Sequence, residues 1–348
     1  MPAHTFEPLE ISRILIEWFE KNGRHLPWRP QEDPYRIWLM VVMLQQTRVE
    51  TVLPYYERFI ERFPNLSDLA QASDEDVLAV WKGLGYYSRA QNLVAAAREM
   101  QATYGGRVPQ SPQELMQLPG IGEYTAAAIA SIAYEQAEVA VDGNVLRFLA
   151  RFFGETGDIT KPQVRARLIQ HARLLLPAAN RGLHNQAVMD FGALVCAPIA
   201  HCEECPVRFY CTAFSLGIQQ KLPIKGKKNV PVEEHLHVAL ISDTAGRTLL
   251  LKRPEQGLLA RFWELPNVPM RSVDVAADFA SAELRVAHIQ KIGEMRHVFS
   301  HRIWQMSIVR AHLVAPLPAN RVYRWVENPL EHTLPRAFSK ILETYKKS

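Results

Sequence analysis

All four cysteines of this 348-residue chain fall within sixteen consecutive residues: Cys196, Cys202, Cys205 and Cys211, spaced C-x5-C-x2-C-x5-C. Thiols crowded into one short loop and absent elsewhere can all reach a common point, which is what a metal centre demands. Two disulfides are the competing reading. Residues 1–13, however, carry Glu7 and Glu10 and no apolar core of a secretory leader, so the expectation is a cytoplasmic, reducing setting. Zinc sites favour paired C-x2-C units, and here only Cys202 and Cys205 form one. The uneven spacing fits a [4Fe–4S] cluster better, with these four cysteines as its ligands.

Around that loop the apolar spacing is helical from residue 11 to about 214. Ile11, Ile14, Leu15, Trp18 and Phe19 mark one face of an amphipathic helix, and residues 126–132 read as a tightly packed Ala/Ile helix. Residues 216–232 hold Pro223, Pro231, Lys221, Lys225, Lys227 and Lys228 with few large apolar side chains, and read as a basic linker. Beyond it the period becomes two. Residues 237–241 and 248–251 flank the turn Asp243-Thr244-Ala245-Gly246 as a β-hairpin, and Trp304, Met306 and Ile308 alternate as a half-buried strand. Phe338, Ile341, Leu342 and Tyr345 close the chain on one helix face. The expectation is a multidomain protein: an all-α domain over 1–215, a linker over 216–232 and an α+β domain over 233–348. The longest apolar run, residues 37–44, is too short to span a membrane. A net charge of +4 leans weakly towards an anionic partner.

Two local patterns carry chemistry. Leu118-Pro119-Gly120-Ile121-Gly122 lies between a helix capped by Ser111 and Glu114 and a helix beginning near Glu123. Such a turn bares backbone N–H groups at a helix N-terminus, a surface suited to phosphate; its bland reading is a glycine C-cap. Twenty residues past Gly122 comes Asp142 in Val141-Asp142-Gly143-Asn144-Val145, an N-cap in the structural reading and a catalytic carboxylate in the functional one.

Hairpin, aspartate and four-cysteine loop, in that order, resemble the helix–hairpin–helix DNA glycosylase superfamily. Lyase members carry a lysine two residues after the second glycine, and this chain has Tyr124, so the resemblance implies base removal without strand cleavage. Leu26-Pro27-Trp28-Arg29, Met43-Leu44-Gln45-Gln46-Thr47, Gly83-Leu84-Gly85-Tyr86-Tyr87-Ser88-Arg89 and Phe299-Ser300-His301 extend the likeness to the adenine DNA glycosylases of the MutY type, over nearly the whole chain. That resemblance implies a helix–hairpin–helix glycosylase domain with an iron–sulfur loop, followed by a Nudix-like domain. The implied partner is duplex DNA carrying adenine opposite 8-oxoguanine or guanine, bound by a monomer.

The resemblance also implies roles. Asp142 stabilises or captures the oxocarbenium-like sugar, supported by Tyr124 and Asn144. Gln46 and Tyr86 wedge into the base stack, since flipping a nucleotide out leaves a gap to fill. Arg24, Trp28 and Arg29 line the adenine pocket; Gln45, Thr47, Leu118, Gly120 and Gly122 contact DNA; and Phe299, Ser300 and His301 read 8-oxoguanine. The second domain lacks the R-E-x-x-E-E core of a Nudix box, so it is expected to bind rather than hydrolyse.

Two positions depart from the family pattern. Its glutamate general acid, in W-L-S-E-V, is replaced here by Val41 in Trp38-Leu39-Met40-Val41-Val42, and Cys196 and Cys202 are separated by five residues where six are usual. Valine cannot donate a proton, a loss worth roughly 10²- to 10⁴-fold in rate. Glu50, nine residues on at about 100° per residue, falls on the opposite side of the same helix and is no evident replacement; the expectation is an adenine glycosylase whose acid comes from elsewhere, such as a water held by Gln45 or Gln186, or whose rate is low. The alternatives are a protein that binds the mispair without cutting and a glycosylase for a base that needs no such proton.

Overall fold

The computed structural model describes residues 7–29, 33–226, 230–254, 257–260, 262–299, 301–332 and 334–345. The chain divides into two units, Met1–Lys227 and Lys228–Ser348. The expected boundary at 215 is therefore too early. Leu222 is buried in the first unit, where its carbonyl accepts a hydrogen bond from Arg151 Nε at 2.9 Å, and Ile224 bridges to Asp158. Sparse apolar content suggested a linker, yet the buried Leu222 and the backbone of Ile224, whose carbonyl accepts from Ile159 N–H at 3.0 Å, dock the segment. Lys227 and Lys228 lie outside the described residues.

The first unit is helical, as its periodicity predicts. Helix α1 (Pro8–Asn22) buries Ile11 and Leu15. Helix α2 (Pro34–Leu44) starts at Asp33, whose side chain caps the Tyr35 N–H, and buries every residue from 37 to 43; a helix apolar all round belongs in a core. Helices α3 (Val49–Arg62), α4 (Leu66–Gln71), α5 (Asp74–Trp81) and α6 (Ser88–Thr103) pack around it, followed by the short α7 (Pro112–Leu115) and by α8 (Glu123–Tyr134). Together they enclose a core centred on Trp38, Phe59 and Trp81. Helices α9 (Gly143–Phe152), α10 (Pro162–Leu175), α11 (Arg181–Leu194) and α12 (Thr212–Ser215) complete the unit. A second core, around Phe148, Phe152 and Phe191, joins α1 to α9, α10 and α11. The site described below lies where α2 and α8 meet α9 and α11.

One glycine sets that junction. A side chain on Gly192 of α11 would lie 2.8 Å from the backbone oxygen of Asn144, so only glycine lets α11 approach the start of α9 so closely.

The second unit holds two sheets, ordered β4-β1-β6-β5 and β3-β2-β7. Their strands are β1 (Val232–Ile241), β2 (Thr248–Lys252), β3 (Trp263–Glu264), β4 (Asn267–Pro269), β5 (Val286–Val298), β6 (Arg302–Leu313) and β7 (Tyr323–Val326), with helices α13 (Val275–Ala280) and α14 (Arg336–Tyr345). Strand β6 alternates as expected, and α14 buries Phe338, Ile341 and Leu342. The expected hairpin is not formed. Its turn closes through Asp243 N–H to the Arg247 carbonyl at 3.0 Å, but beyond a single bridge at Ser242 and Thr248 the two strands enter different sheets. Strand β1 instead runs parallel to β6 along its whole length, from Val232 opposite Arg302 to Ile241 opposite Ala311. A pairing some seventy positions apart in sequence leaves no local trace at the turn.

Candidate active site

A pocket of about 810 Å³ opens at the junction of α2, α8, α9 and α11, lined by Trp28, Val41, Tyr124, Asp142, Asn144 and Gln186 among others. Its size is that of an ordinary small-ligand site. Asp142 caps α9. Its Oδ1 accepts from the backbone N–H of Asn144 (2.8 Å) and of Val145 (2.7 Å), and its Oδ2 accepts from Asn144 Nδ2 at 3.1 Å. Burial raises the Asp142 pKa above the usual carboxylate range, and these hydrogen bonds together with Arg147 offset only part of that rise. Tyr124, in the first turn of α8, has its hydroxyl pKa raised first by burial and then by the Asp142 charge, so it stands as a neutral phenol.

Asn144 is itself held. Its Oδ1 accepts from Arg147 Nη2 at 2.9 Å, while Arg147 Nε donates to the Cys196 carbonyl at 2.8 Å. Asp142, Asn144, Arg147 and the first cysteine of the loop thus form one hydrogen-bonded chain.

The opposite wall carries a buried charge cluster of which only the cations were expected from sequence. Asp190 on α11 accepts from Arg24 Nη2 (2.5 Å) and from Arg29 Nη1 (2.7 Å), and Arg29 Nε donates to Gln186 Oε1 at 3.0 Å. Burial opposes ionisation of Asp190, but the two guanidiniums prevail and hold its pKa below the usual range. Arg24 and Arg29 are thereby fixed on the pocket wall beside Trp28, which is buried edge-on against Tyr56. An aspartate among the buried Ala187, Val188 and Phe191 was the available signal for this partner.

Val41 is 4% exposed and lines the pocket with Met40, so the wall is apolar at the position where the resemblance implied an acid. The expected placement of Glu50 is corrected. Helix α2 ends at Leu44, Gln46 adopts a left-handed φ of 56°, and Glu50 lies in the first turn of a separate helix, α3. The break removes the helical phase relation, and Glu50 stands exposed on the rim of the same pocket. Gln45 also lines it, but its Nε2 already donates to Thr125 Oγ1 at 2.9 Å.

Gln46 and Tyr86 are both exposed, and Thr47 lies beside them. In the Gly-rich turn, Gly120 has φ 76°, a conformation open to glycine, and a Cβ there would lie 2.7 Å from the Asn92 side chain. Space around Gly122, the N-cap of α8, is open. Leu118 faces inward and is core, so only its backbone belongs to the turn's surface.

The four cysteine side chains line one cavity with Phe148, Phe152, Phe191, Val195 and Val207. Burial raises all four thiol pKa values, Cys211 to about 11 and Cys205 to about 12. Arg151 Nη1 lies 3.5 Å from Cys196 Sγ. Apolar walls, four crowded thiols and a buried guanidinium suit an anionic thiolate-ligated group. Among the described residues no group of three or more His, Cys, Asp or Glu side chains is arranged to hold a metal ion.

In the second unit Phe299 follows β5, its N–H donating to the Arg302 carbonyl at 2.8 Å and its ring packed edge-on against Trp304. His301 is exposed next to it, and its carbonyl accepts from Val232. Ser300 lies outside the described residues. Among the described residues no helix is long and apolar enough to cross a membrane.

Hairpin, capped aspartate and cysteine loop on this helical scaffold define a base-excision DNA glycosylase domain. The HhH-GPD superfamily of base excision DNA repair proteins matches residues 39–173, and the NUDIX domain matches 237–344. A solved thermostable thymine-DNA glycosylase superposes with a TM-score of 0.56 at 28% identity, over 60% of this chain and 97% of that one. Endonuclease III trapped on DNA superposes at 0.51 and 21% identity over 62% of this chain and 100% of its own, a likeness of fold.

Whole-chain relatives narrow the class. The adenine DNA glycosylase of Rattus norvegicus is 33% identical over 99% of this chain and 80% of its own length, and that of Buchnera aphidicola subsp. Schizaphis graminum is 31% identical over 97% and 99%. The chain belongs to the adenine DNA glycosylase family.

Proposed function

We propose that this protein removes adenine mispaired with 8-oxoguanine or guanine from duplex DNA by hydrolysing the N-glycosidic bond, without cutting the strand. The observation that carries this reading is the half-buried Asp142 carboxylate, clamped by Asn144 and lining a pocket with Tyr124 rather than a lysine. Leaving of the base builds positive charge on the sugar, and a fixed carboxylate in a water-poor wall stabilises that charge or captures it. Arg24, Arg29, Trp28 and Gln186 would orient the flipped base, and the second unit would read 8-oxoguanine through Phe299, Ser300 and His301.

The proton for the departing adenine needs a source, because Val41 has none. Of the carboxylates lining the pocket among the described residues, Asp190 is neutralised by two arginines and Asp142 serves the sugar, which leaves Glu50 at the rim, acting directly or through one water. Cys196, Cys202, Cys205 and Cys211 would hold a [4Fe–4S] cluster. When bound, it would cross-link their loop and fix the Cys196 carbonyl that supports Arg147.

The same Val41 favours a second reading, a protein that grips the mispair without releasing adenine. A single-turnover assay on duplex with adenine opposite 8-oxoguanine, beside a gel shift, separates the two. Adenine release that is lost in Asp142→Asn supports the glycosylase; tight lesion-selective binding without release overturns it in favour of the binder.

A further inference from the structure

The two exposed residues at the wedge positions share an unusual backbone. Gln46 has φ 56° and Tyr86 has φ 48°, both in the left-handed region, and neither is glycine. Such conformations are sterically disfavoured for any residue but glycine and persist only where the surroundings over-determine them. The two residues sit on different loops, one after α2 and one before α6. What over-determines both is a single side chain.

Arg89, in the first turn of α6, is 7% exposed and drives its guanidinium between the loops. On the first loop Nη1 donates to the carbonyls of Met43 (2.6 Å), Gln45 (2.6 Å) and Val42 (3.1 Å), and Nη2 donates to Thr47 Oγ1 at 3.0 Å. These contacts bracket Gln46 on both sides and satisfy carbonyls at the C-terminal end of α2, where a cation is favoured. On the second loop Nη2 donates to the Gly85 carbonyl at 3.2 Å and Nε to that of Tyr86 at 3.4 Å, while the guanidinium lies over the Tyr86 ring, 5.3 Å from its centroid. A lysine offers a point charge and cannot span this fan of acceptors.

We propose that Arg89 is a positioning residue that locks the loops carrying Gln46 and Tyr86 into one rigid two-pronged wedge, so that both prongs enter the base stack together when the adenine is flipped. The inference rests on the glycosylase reading for what is flipped, but not for the lock itself. Arg89 lies outside the adenine pocket's lining, so its effect falls on extrusion of the base and not on bond cleavage.

The test uses the full-length protein as wild type, Arg89→Lys and Arg89→Met. Three quantities are read: fluorescence of 2-aminopurine placed opposite 8-oxoguanine, which rises when the base is unstacked; the single-turnover rate on paired duplex and on duplex where the adenine faces an abasic gap; and the melting temperature. We expect Arg89→Met to lose most of the fluorescence rise and roughly 10²-fold in rate on paired duplex. On the gapped duplex, where unpairing is already provided, its rate returns to within a few-fold of wild type, and Arg89→Lys falls between Arg89→Met and wild type on the paired duplex. A variant with a lowered melting temperature but wild-type fluorescence and rates would make Arg89 merely structural, and equal losses on both duplexes would place its role in the pocket; either overturns the inference. Should Arg89→Met fail to fold, Arg89→Lys decides by the same comparison. Wild type that unstacks 2-aminopurine yet releases no adenine would sink the glycosylase reading alone, leaving the fluorescence series to judge the lock.

Discussion

Asn144 holds Asp142 at both oxygens, its backbone N–H on Oδ1 at 2.8 Å and its side-chain Nδ2 on Oδ2 at 3.1 Å. The carboxylate is thereby aimed, but burial still lifts its pKa above the ordinary value. A folded-state pKa above the unfolded one means that the native state binds the proton more readily, so this group's contribution to stability declines as pH rises through the window above 3.8. At neutral pH the ionised Asp142 is therefore a local burden on the fold. Asp142→Asn keeps the helix cap and removes the charge. It should melt above wild type at pH 7, with the gap closing as the pH falls towards 4, and should lose about 10³-fold or more in adenine release. Paired melting curves and single-turnover rates check both halves.

Position 41 offers a gain-of-function test. Val41→Glu restores a carboxyl group on the pocket wall beside Met40. If adenine departure is limited by its proton, this variant should release adenine roughly 10²-fold faster than wild type. Glu50→Gln should slow wild type but leave Val41→Glu untouched, because the second acid makes the first redundant. Wild-type rates in Glu50→Gln would move the proton source elsewhere. The buried carboxyl should also cost stability, read as a lower melting temperature for Val41→Glu.

Much of this site was legible in the sequence, and what was not has a common cause. Asp142 announced itself by its cap position, and the cysteines by their crowding. Glu50 was misplaced because Gln45-Gln46-Thr47-Arg48 carries no glycine or proline, and the helix is ended by a left-handed Gln46 that local propensity does not favour. Asp190 was missed because its meaning lies in arginines more than 160 positions away. The turn at Asp243 was readable, but the partner of β1 was not, since β6 lies far along the chain. Local signals reported local structure; each failure was a long-range partner overriding a short-range preference.

Gly192 sets how close α11 comes to Asn144. Because the added methyl of Gly192→Ala would lie 2.8 Å from backbone that cannot rotate away, the helix start bearing Asp142 must shift by a few tenths of an ångström. Misplacement of that order should cost roughly tenfold or more in single-turnover rate, with binding to mispaired duplex little changed. A variant with wild-type chemistry would show that α9 tolerates the shift.

Asp190 gives the opposite sign to Asp142. Arg24 and Arg29 hold its pKa below 3.8, so its contribution to stability is full above that value and is lost as the pH falls through the lower folded pKa. Asp190→Asn leaves two guanidiniums on the pocket wall without their shared counter-charge. Removing one partner of a buried pair costs about 3 kcal/mol at neutral pH, and some relief is expected here because Arg24 and Arg29 are 28% and 17% exposed. The variant should therefore melt well below wild type at pH 7, and the difference should narrow on acidification below 4, where wild type begins to protonate the same oxygen. It should also weaken discrimination at the base, since Arg29 loses the anchor that aligns it with Gln186. Melting curves from pH 3 to 7, run beside rates on adenine and on a purine lacking the exocyclic amine, measure both effects. A gap that widens in acid would mean that Asp190 is not the ionised member of this cluster.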